Sequence, residues 1–349
     1  MKRSLIHQSD LFYSILQSFQ SIYILMYTFD QILHLIESEI HQLQFDRHPQ
    51  NLYLPVQYIL SLGGKRIRPA LMLMACNLYS EEVEKALRPA IGIEIFHNFT
   101  LLHDDLIDEA DKRRNQLTVH KKWNTNTAIL SGDAMLILSY QLIGETTPSL
   151  LKNILDIFTQ TALEICEGQQ YDMEFELRQE VSEEEYIEMI RLKTAVLLAC
   201  CLKAGALIGG ASEEEAGILY QFGIFTGIAF QLQDDLLDTF GDPQTFGKNI
   251  GGDILCNKKT FLLIQTLKRA SHQQKELIRS FQLTDHCIPE EKIMAIKSVY
   301  ESLGVRELTN EKIQYYFDLA MKEISRLQLP VERLQPLHEA IHLLMARES

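Results

Sequence analysis

Positive charge is scarce in this sequence: 33 lysines and arginines stand against 47 aspartates and glutamates, a formal net charge of −14. A chain so acidic argues against a nonspecific nucleic-acid surface, and its basic residues matter by position and not by number. Cysteine is sparse too. The six cysteines, Cys200 and Cys201 adjacent among them, have no repeated short spacing of the kind that holds zinc. The opening "MKRSLIHQSD" starts basic but is too polar to be an export signal. Reduced thiols in a cytoplasmic protein are the expectation. Long apolar runs are missing as well: "AVLLACCLKAGALIGG" contains Lys203 and falls short of a membrane span. Alternating runs are few, no low-complexity linker divides the chain, and the nucleotide-loop spacing GxxxxGK[ST] does not occur. ATP and dinucleotides are therefore poor candidates as ligands.

What the sequence has in abundance is helical periodicity. In "MYTFDQILHLIESEIHQLQ", Phe29, Ile32, Leu33, Ile36 and Ile40 recur at the spacing of one helix face, and from Pro69 onward nearly every segment repeats the pattern. Glycine and proline fall between segments. Ser182 followed by Glu183 to Glu185, and Ser212 followed by Glu213 to Glu215, read as capped helix starts, which accounts for those acidic runs without any catalytic role. We expect one all-α domain over residues 26–349, preceded by a variable lead, residues 1–25. That lead is either an extra helix or a stretch upstream of a true start at Met26.

Two segments stand out against this background. "LLHDDLIDEADKRRN" puts Asp104, Asp105 and Asp108 at i, i+1 and i+4, and "AFQLQDDLLDTFGD" puts Asp234, Asp235 and Asp238 at the same spacing, with Gln231 one turn earlier. One such triplet would be unremarkable. Two, each interrupting an otherwise apolar helix, would be expensive to bury unless cations lay among them. Oxygen ligands around an open face are how proteins hold Mg²⁺ while leaving positions for water and phosphate. The basic residues suit the same ligand: Lys65, Arg66 and Arg68 on a Gly-Gly turn in "SLGGKRIRPA", Arg113 and Arg114 after the first triplet, Lys193-Thr194, Lys248, and Lys258-Lys259-Thr260. Any one of them could equally be a solvated surface group; their combination with the carboxylates points to a ligand rich in negative oxygens.

The ordered series "GGKRIRP", "LLHDDLIDEADKRRN", "GQQYD", Lys193-Thr194, "FQLQDDLLD" and "GKNIGGDILCNKKT" resembles the trans-isoprenyl diphosphate synthases, the polyprenyl synthetase family, from about residue 26 to the C-terminus. The resemblance implies an all-α helical bundle of the isoprenoid or terpene synthase type around a deep central cavity, usually homodimeric. It implies Mg²⁺, three ions per site, held by Asp104, Asp105, Asp108, Asp234, Asp235 and Asp238. Arg113, Lys193, Thr194, Gln231, Lys248 and Lys258 would surround an allylic diphosphate; Lys65, Arg68, His97 and Arg114 would hold isopentenyl diphosphate. Gly64, Gln169 and Asp172 would support them, and His103 would lie behind the metal ligands. Without the resemblance, His97 reads as a polar residue tucked into a core helix.

Two features depart from the family pattern. Asn257 stands where many relatives have glycine before the lysine, and "HLLMARES" lacks the strongly basic tail of some farnesyl-forming relatives, leaving Arg347. Product length turns on Phe99, five residues before Asp104, which in this family acts as a floor for the growing tail. The helical wheel alone favours Thr100 on the aspartate face. The expected product is C15 or C20, with C20 preferred because Thr100 is not a second aromatic. A longer-chain polyprenyl diphosphate synthase is the first competing reading, and a terpene cyclase and a noncatalytic partner subunit are the others.

Overall fold

In the computed structural model, residues 26–241, 250–283 and 288–345 are described; the lead over residues 1–25, Lys248 and Arg347 lie outside them. The described residues are helical apart from turns and one two-stranded hairpin. In chain order they are α1 (Phe29–Gln42), α2 (Gln50–Ser61), α3 (Ile67–Asn77), α4 (Leu87–Ile107), the hairpin of β1 (Lys112–Arg113) and β2 (Gln116–Leu117), α5 (Val119–Lys122), α6 (Thr125–Ile143), α7 (Leu151–Leu177) and α8 (Glu183–Ile190). A π-helical turn (Arg191–Ala195) joins α8 to α9 (Val196–Gly209). Then come α10 (Glu213–Phe240), α11 (Gly252–Leu255), α12 (Phe261–Arg269), α13 (His272–Gln282), α14 (Pro289–Ser302), α15 (Val305–Ile324) and α16 (Val331–Met345).

Local chemistry sets the helix starts. Thr28, Ser182, Ser212 and Ser271 each accept the N–H three residues on, while Gln31, Glu185, Glu215 and Gln274 reach back to the cap backbone. Each such box satisfies two backbone donors that a helix start leaves open. The two acidic runs expected to be caps are therefore caps.

Two helices matter most to the site. α4 is buried nearly all round from Pro89 to Phe96, Glu94 included, and becomes more polar toward its C-terminus. α10 behaves alike: its middle turns are apolar, and Asp234, Asp235 and Asp238 fall in its last two turns. α4 packs on α6, and α3, α9, α10 and α15 follow one another as packed neighbours. The main core includes Phe96, Phe158, Tyr186 and Phe222, all essentially inaccessible. A smaller core, with Phe240, Ile254, Leu262, Ile296 and Tyr300, lies beneath α11 and α14.

One expectation changes on folding. Because α8, the π turn and α9 run on without a break, Glu183–Gly209 forms 27 residues apolar enough by length and composition to cross a membrane. Its apolar window is 78% buried inside the protein, where it serves as a core helix.

The π turn marks a close approach. A Cβ on Gly168 of α7 would sit 2.4 Å from the backbone nitrogen of Lys193, so only glycine lets α7 lie against this turn. Gly168→Ala should force the two apart and cost about 1–3 kcal/mol of stability, as overpacked cores do. The denaturation midpoint followed by circular dichroism measures it; an unchanged midpoint would mean the contact yields freely.

Candidate active site

The first aspartate triplet forms the end of α4, with Asp104 and Asp105 in its last turn and Asp108 at its C-cap. Asp105 is buried and accepts the Arg113 Nε–H at 2.8 Å, across from the hairpin. Burial pushes the Asp104 carboxyl up to about 6; Asp108 and Asp105 add to the rise, while Lys193 and Arg113 oppose it. Asp108 is raised in the same way, chiefly by burial and partly by Asp172, against Lys193 and Lys258.

The second triplet ends α10. Asp235 is buried and accepts from Gln231 Nε2 at 2.9 Å and from the Tyr186 hydroxyl. Gln231 in turn accepts from Thr194 Oγ1 at 3.0 Å, which ties the π turn to α10. Burial, helped by Asp253, lifts the Asp235 carboxyl to about 7 even though Lys258, Tyr186 and Gln231 pull it down. Asp238 accepts the Asp253 N–H at 2.9 Å and so caps the start of α11.

Two lysines stand between the triplets. Lys193 Nζ lies 2.6 Å from Asp172 Oδ2, and Lys258 Nζ lies 3.7 Å from Asp253 Oδ1. Burial alone would lower the Lys258 ammonium, but Asp253, Asp172, Asp235 and Asp234 together hold it well above its ordinary value. Asp172 moves the other way: burial would raise its carboxyl, yet Lys193 and Lys258 keep it depressed. Asp108 of the first triplet and Asp234 and Asp235 of the second thus act on the same ammonium, and the two motifs share one field. Gln169 Oε1, one turn before this cluster's Asp172, is buried without a partner among the described residues.

A second basic cluster lies at the start of α3. Gly63 and Gly64 turn the chain at positive φ, and the Arg114 guanidinium lies so close over Gly64 that a Cβ there would be 2.8 Å from Nη2. Arg68 donates from Nη1 to His97 Nε2 at 3.1 Å, and its buried Nε has no partner among the described residues. Burial first, and then Arg68, Arg114, Arg113 and Arg66, hold His97 far below its usual range, so the ring is a neutral acceptor. Lys65 sits exposed on the same turn. Arg68 Nε and Gln169 Oε1 are among several buried polar atoms that have no partner among the described residues.

Arg66, grouped with Lys65 and Arg68 in the sequence, is turned into the fold. It is buried, in left-handed backbone, and donates to Glu37 at 2.9 Å, Glu94 at 2.7 Å and the Leu60 carbonyl at 2.8 Å, which pins the Gly-Gly turn to α1, α2 and α4. Its donors are spent on the fold. Sequence reasoning also missed Tyr186, Asp253, Glu94 and Gly168. Asp253 and Gly168 lay inside quoted motifs; Tyr186 follows the capped start at Ser182 with no signal of its own.

On α4, Thr100 Oγ1 donates to the His97 carbonyl at 2.8 Å. Phe99 packs edge-on against His103 at 4.8 Å and beside Phe96 at 5.6 Å, and Phe96 meets Phe158 of α7 at 5.0 Å. His103 lies against α6, where a Cβ on Gly132 would touch its Nε2.

The sequence profile described as Polyprenyl synthetase matches residues 49–302. The chain is 39% identical over 236 residues to a geranylgeranyl diphosphate synthase of Methanosarcina mazei, spanning 67% of this chain and 73% of that one. It is 35% identical over 292 residues to a geranylgeranyl pyrophosphate synthase of Geoglobus acetivorans, 83% of this chain and 89% of the other. A crystal structure of a geranylgeranyl pyrophosphate synthase superimposes with a TM-score of 0.88 at 42% identity, covering 93% of this chain and 100% of its own. With agreement over nearly the full length in sequence and fold, the protein belongs to the polyprenyl synthetase family.

Proposed function

We propose that the chain condenses isopentenyl diphosphate head-to-tail with an allylic diphosphate, releasing diphosphate and an all-trans C20 prenyl diphosphate. The observation that carries this reading is the pair of separate anion sites: the aspartate triplets around Lys193 and Lys258, and the Arg68, His97 and Arg114 cluster over Gly64. A cyclase, with one diphosphate substrate, has no use for the second cluster. A noncatalytic subunit has no reason to keep both triplets intact.

Mg²⁺ fits the first site. Its carboxylates are pushed toward neutrality by burial, so a cation would hold them ionised. Among the described residues no three acidic, histidine or cysteine side chains converge on one point, so ions there would take further oxygens from water and diphosphate. In our reading Asp104, Asp105, Asp108, Asp234, Asp235 and Asp238 would hold the ions, three in all, with Arg113 steadying Asp105 and with Gln231 and Tyr186 steadying Asp235. Magnesium, when bound, supplies positive charge where the leaving diphosphate gains negative charge.

The chain's own groups do the rest. Lys193, Lys258 and Arg113, with Lys248, bind the allylic diphosphate, and Thr194 and Gln231 hold that wall in register. Arg68, Arg114 and Lys65 bind the second diphosphate, with His97 orienting Arg68. The allylic C–O bond breaks and its electron pair leaves with diphosphate. The isopentenyl π electrons form the new C–C bond, and a proton passes from the adjacent carbon to a diphosphate oxygen, leaving a new double bond. Preplaced cations lower the barrier because they need not reorganise. Apolar helix faces keep water from the cation.

Exposed Leu130 and Ile137 on α6 and Leu163 on α7 support a homodimer through these helices. We place the enzyme in the cytoplasm, in keeping with the free Cys76, Cys166, Cys200, Cys201 and Cys256.

With Mg²⁺, farnesyl diphosphate and isopentenyl diphosphate, the purified chain should form a C20 diphosphate; a cyclic hydrocarbon made from geranyl diphosphate alone would overturn the reading. Phe99→Ala should lengthen the product while isopentenyl diphosphate is still consumed, as chromatography of the dephosphorylated products will report. Asp104→Ala should lower turnover by about a thousandfold or more with the helical circular-dichroism signal intact, since it strips support from the leaving group. Arg68→Ala should raise KM for isopentenyl diphosphate by about tenfold or more and leave that of the allylic substrate nearly unchanged, the loss expected for charge-assisted hydrogen bonds to one anion.

A further inference from the structure

The segment that carries Lys258 is held from behind by a buried lysine to which none of the chemistry above gives a task. Lys292, on α14, is only 3% exposed. Among the described residues its ammonium donates to two oxygens, both neutral: the Leu255 carbonyl at 3.0 Å and Asn257 Oδ1 at 2.8 Å. Burying an ammonium against neutral acceptors is a poor way to gain stability, because desolvation outweighs two such bonds. Its value must lie in geometry.

The surroundings indicate which geometry. Asn257 sits at φ 55°, the left-handed backbone that glycine takes easily and asparagine tolerates, so the residue that replaces the family's glycine keeps the turn and adds a side-chain acceptor. Lys258 follows directly, its N–H bonded to the Asp253 carbonyl at 2.9 Å. At the other end of the segment, Ile293 lies against Gly251, beside the Asp238 cap of α11. Ile296 and Tyr300, one and two turns further along α14, line the small cavity shared with Asp253, Asn257 and Lys258. One face of α14 therefore grips both ends of the stretch from Gly251 to Lys258, and among the described residues its hydrogen bonds to that stretch come from Lys292.

We infer that Lys292 is a positioning residue for the allylic diphosphate: through Asn257 and the Leu255 carbonyl it fixes the turn that aims Lys258 and Asp253 at the second aspartate triplet. This rests on the allylic role given to Lys258 above. A structural brace alone would affect both substrates alike through the amount of folded enzyme. A positioning residue affects the site that it aims.

The test uses the full chain with Mg²⁺ and measures KM for geranyl and isopentenyl diphosphates separately, together with geranyl diphosphate affinity by calorimetry. Lys292→Met, similar in length and uncharged, should raise KM for the allylic substrate about tenfold and leave that for isopentenyl diphosphate within about twofold, the scale on which small misplacements act. Asn257→Gly keeps the backbone and removes the acceptor, so it should shift the same constant in the same direction, and it serves if the Lys292 variant does not fold. The double variant should be no worse than Lys292→Met alone. Lys258→Ala is the control. If it leaves the allylic KM unchanged, the site reading itself fails. If it raises that KM while Asn257→Gly and a folded Lys292→Met do not, or while they raise both constants equally, the positioning role is overturned.

Discussion

Everything in this site follows from the cost of placing carboxylates that repel one another where water is scarce. Asp104, Asp105, Asp172, Asp235 and Asp253 come from four different helices, and without compensation the fold would expel them or protonate them. The chain compensates unevenly. Asp105, Asp172 and Asp235 have fixed partners in Arg113, Lys193, and Gln231 with Tyr186. Asp104 and Asp235 are nonetheless left short of full compensation, their carboxyls raised to about 6 and about 7. A site balanced in this way is stable enough to fold and still short of positive charge, which is the condition for attracting a metal-bound anion.

That balance also explains which parts of the site could be read in advance. The aspartate spacing, the Gly-Gly turn and the Lys-Thr pair are short-range patterns, and a helix converts such spacing into a shared face with little help from the rest of the fold. Gln231 and Asp235 illustrate this: one turn apart in sequence, they are hydrogen-bonded in space. Tyr186 illustrates the limit. It lies 49 positions from Asp235, on a different helix, and an aromatic at an inward position is indistinguishable from core packing until the hydroxyl's partner is known. Arg66 shows the converse. Its place between Lys65 and Arg68 suggested a phosphate ligand, but left-handed backbone turns it inward, onto Glu37 and Glu94. Neighbouring residues of one charge can have opposite duties, and backbone direction, which composition does not encode, separates them.

The fold itself was more legible than the site because its signals are redundant. The capped starts at Ser182 and Ser212, long periodic stretches and scarce alternation all lead to the same bundle. One local feature lay outside those signals. Between α8 and α9 the backbone continues through Arg191–Ala195 by widening one turn, which apolar periodicity does not reveal.

That widened turn has a consequence for how the protein can change. A π turn accommodates an additional residue while the helices on either side keep their own register. Loss of one residue between Arg191 and Ala195 would therefore let the strand of core packing on both flanks close up almost as before, as an ordinary α-helix. What would disappear is the pose that brings Lys193 to Asp172 and Thr194 to Gln231, and the close seat of Gly168. Folding and catalysis are written here in different quantities: side-chain pattern secures the first, and the count of residues secures the second.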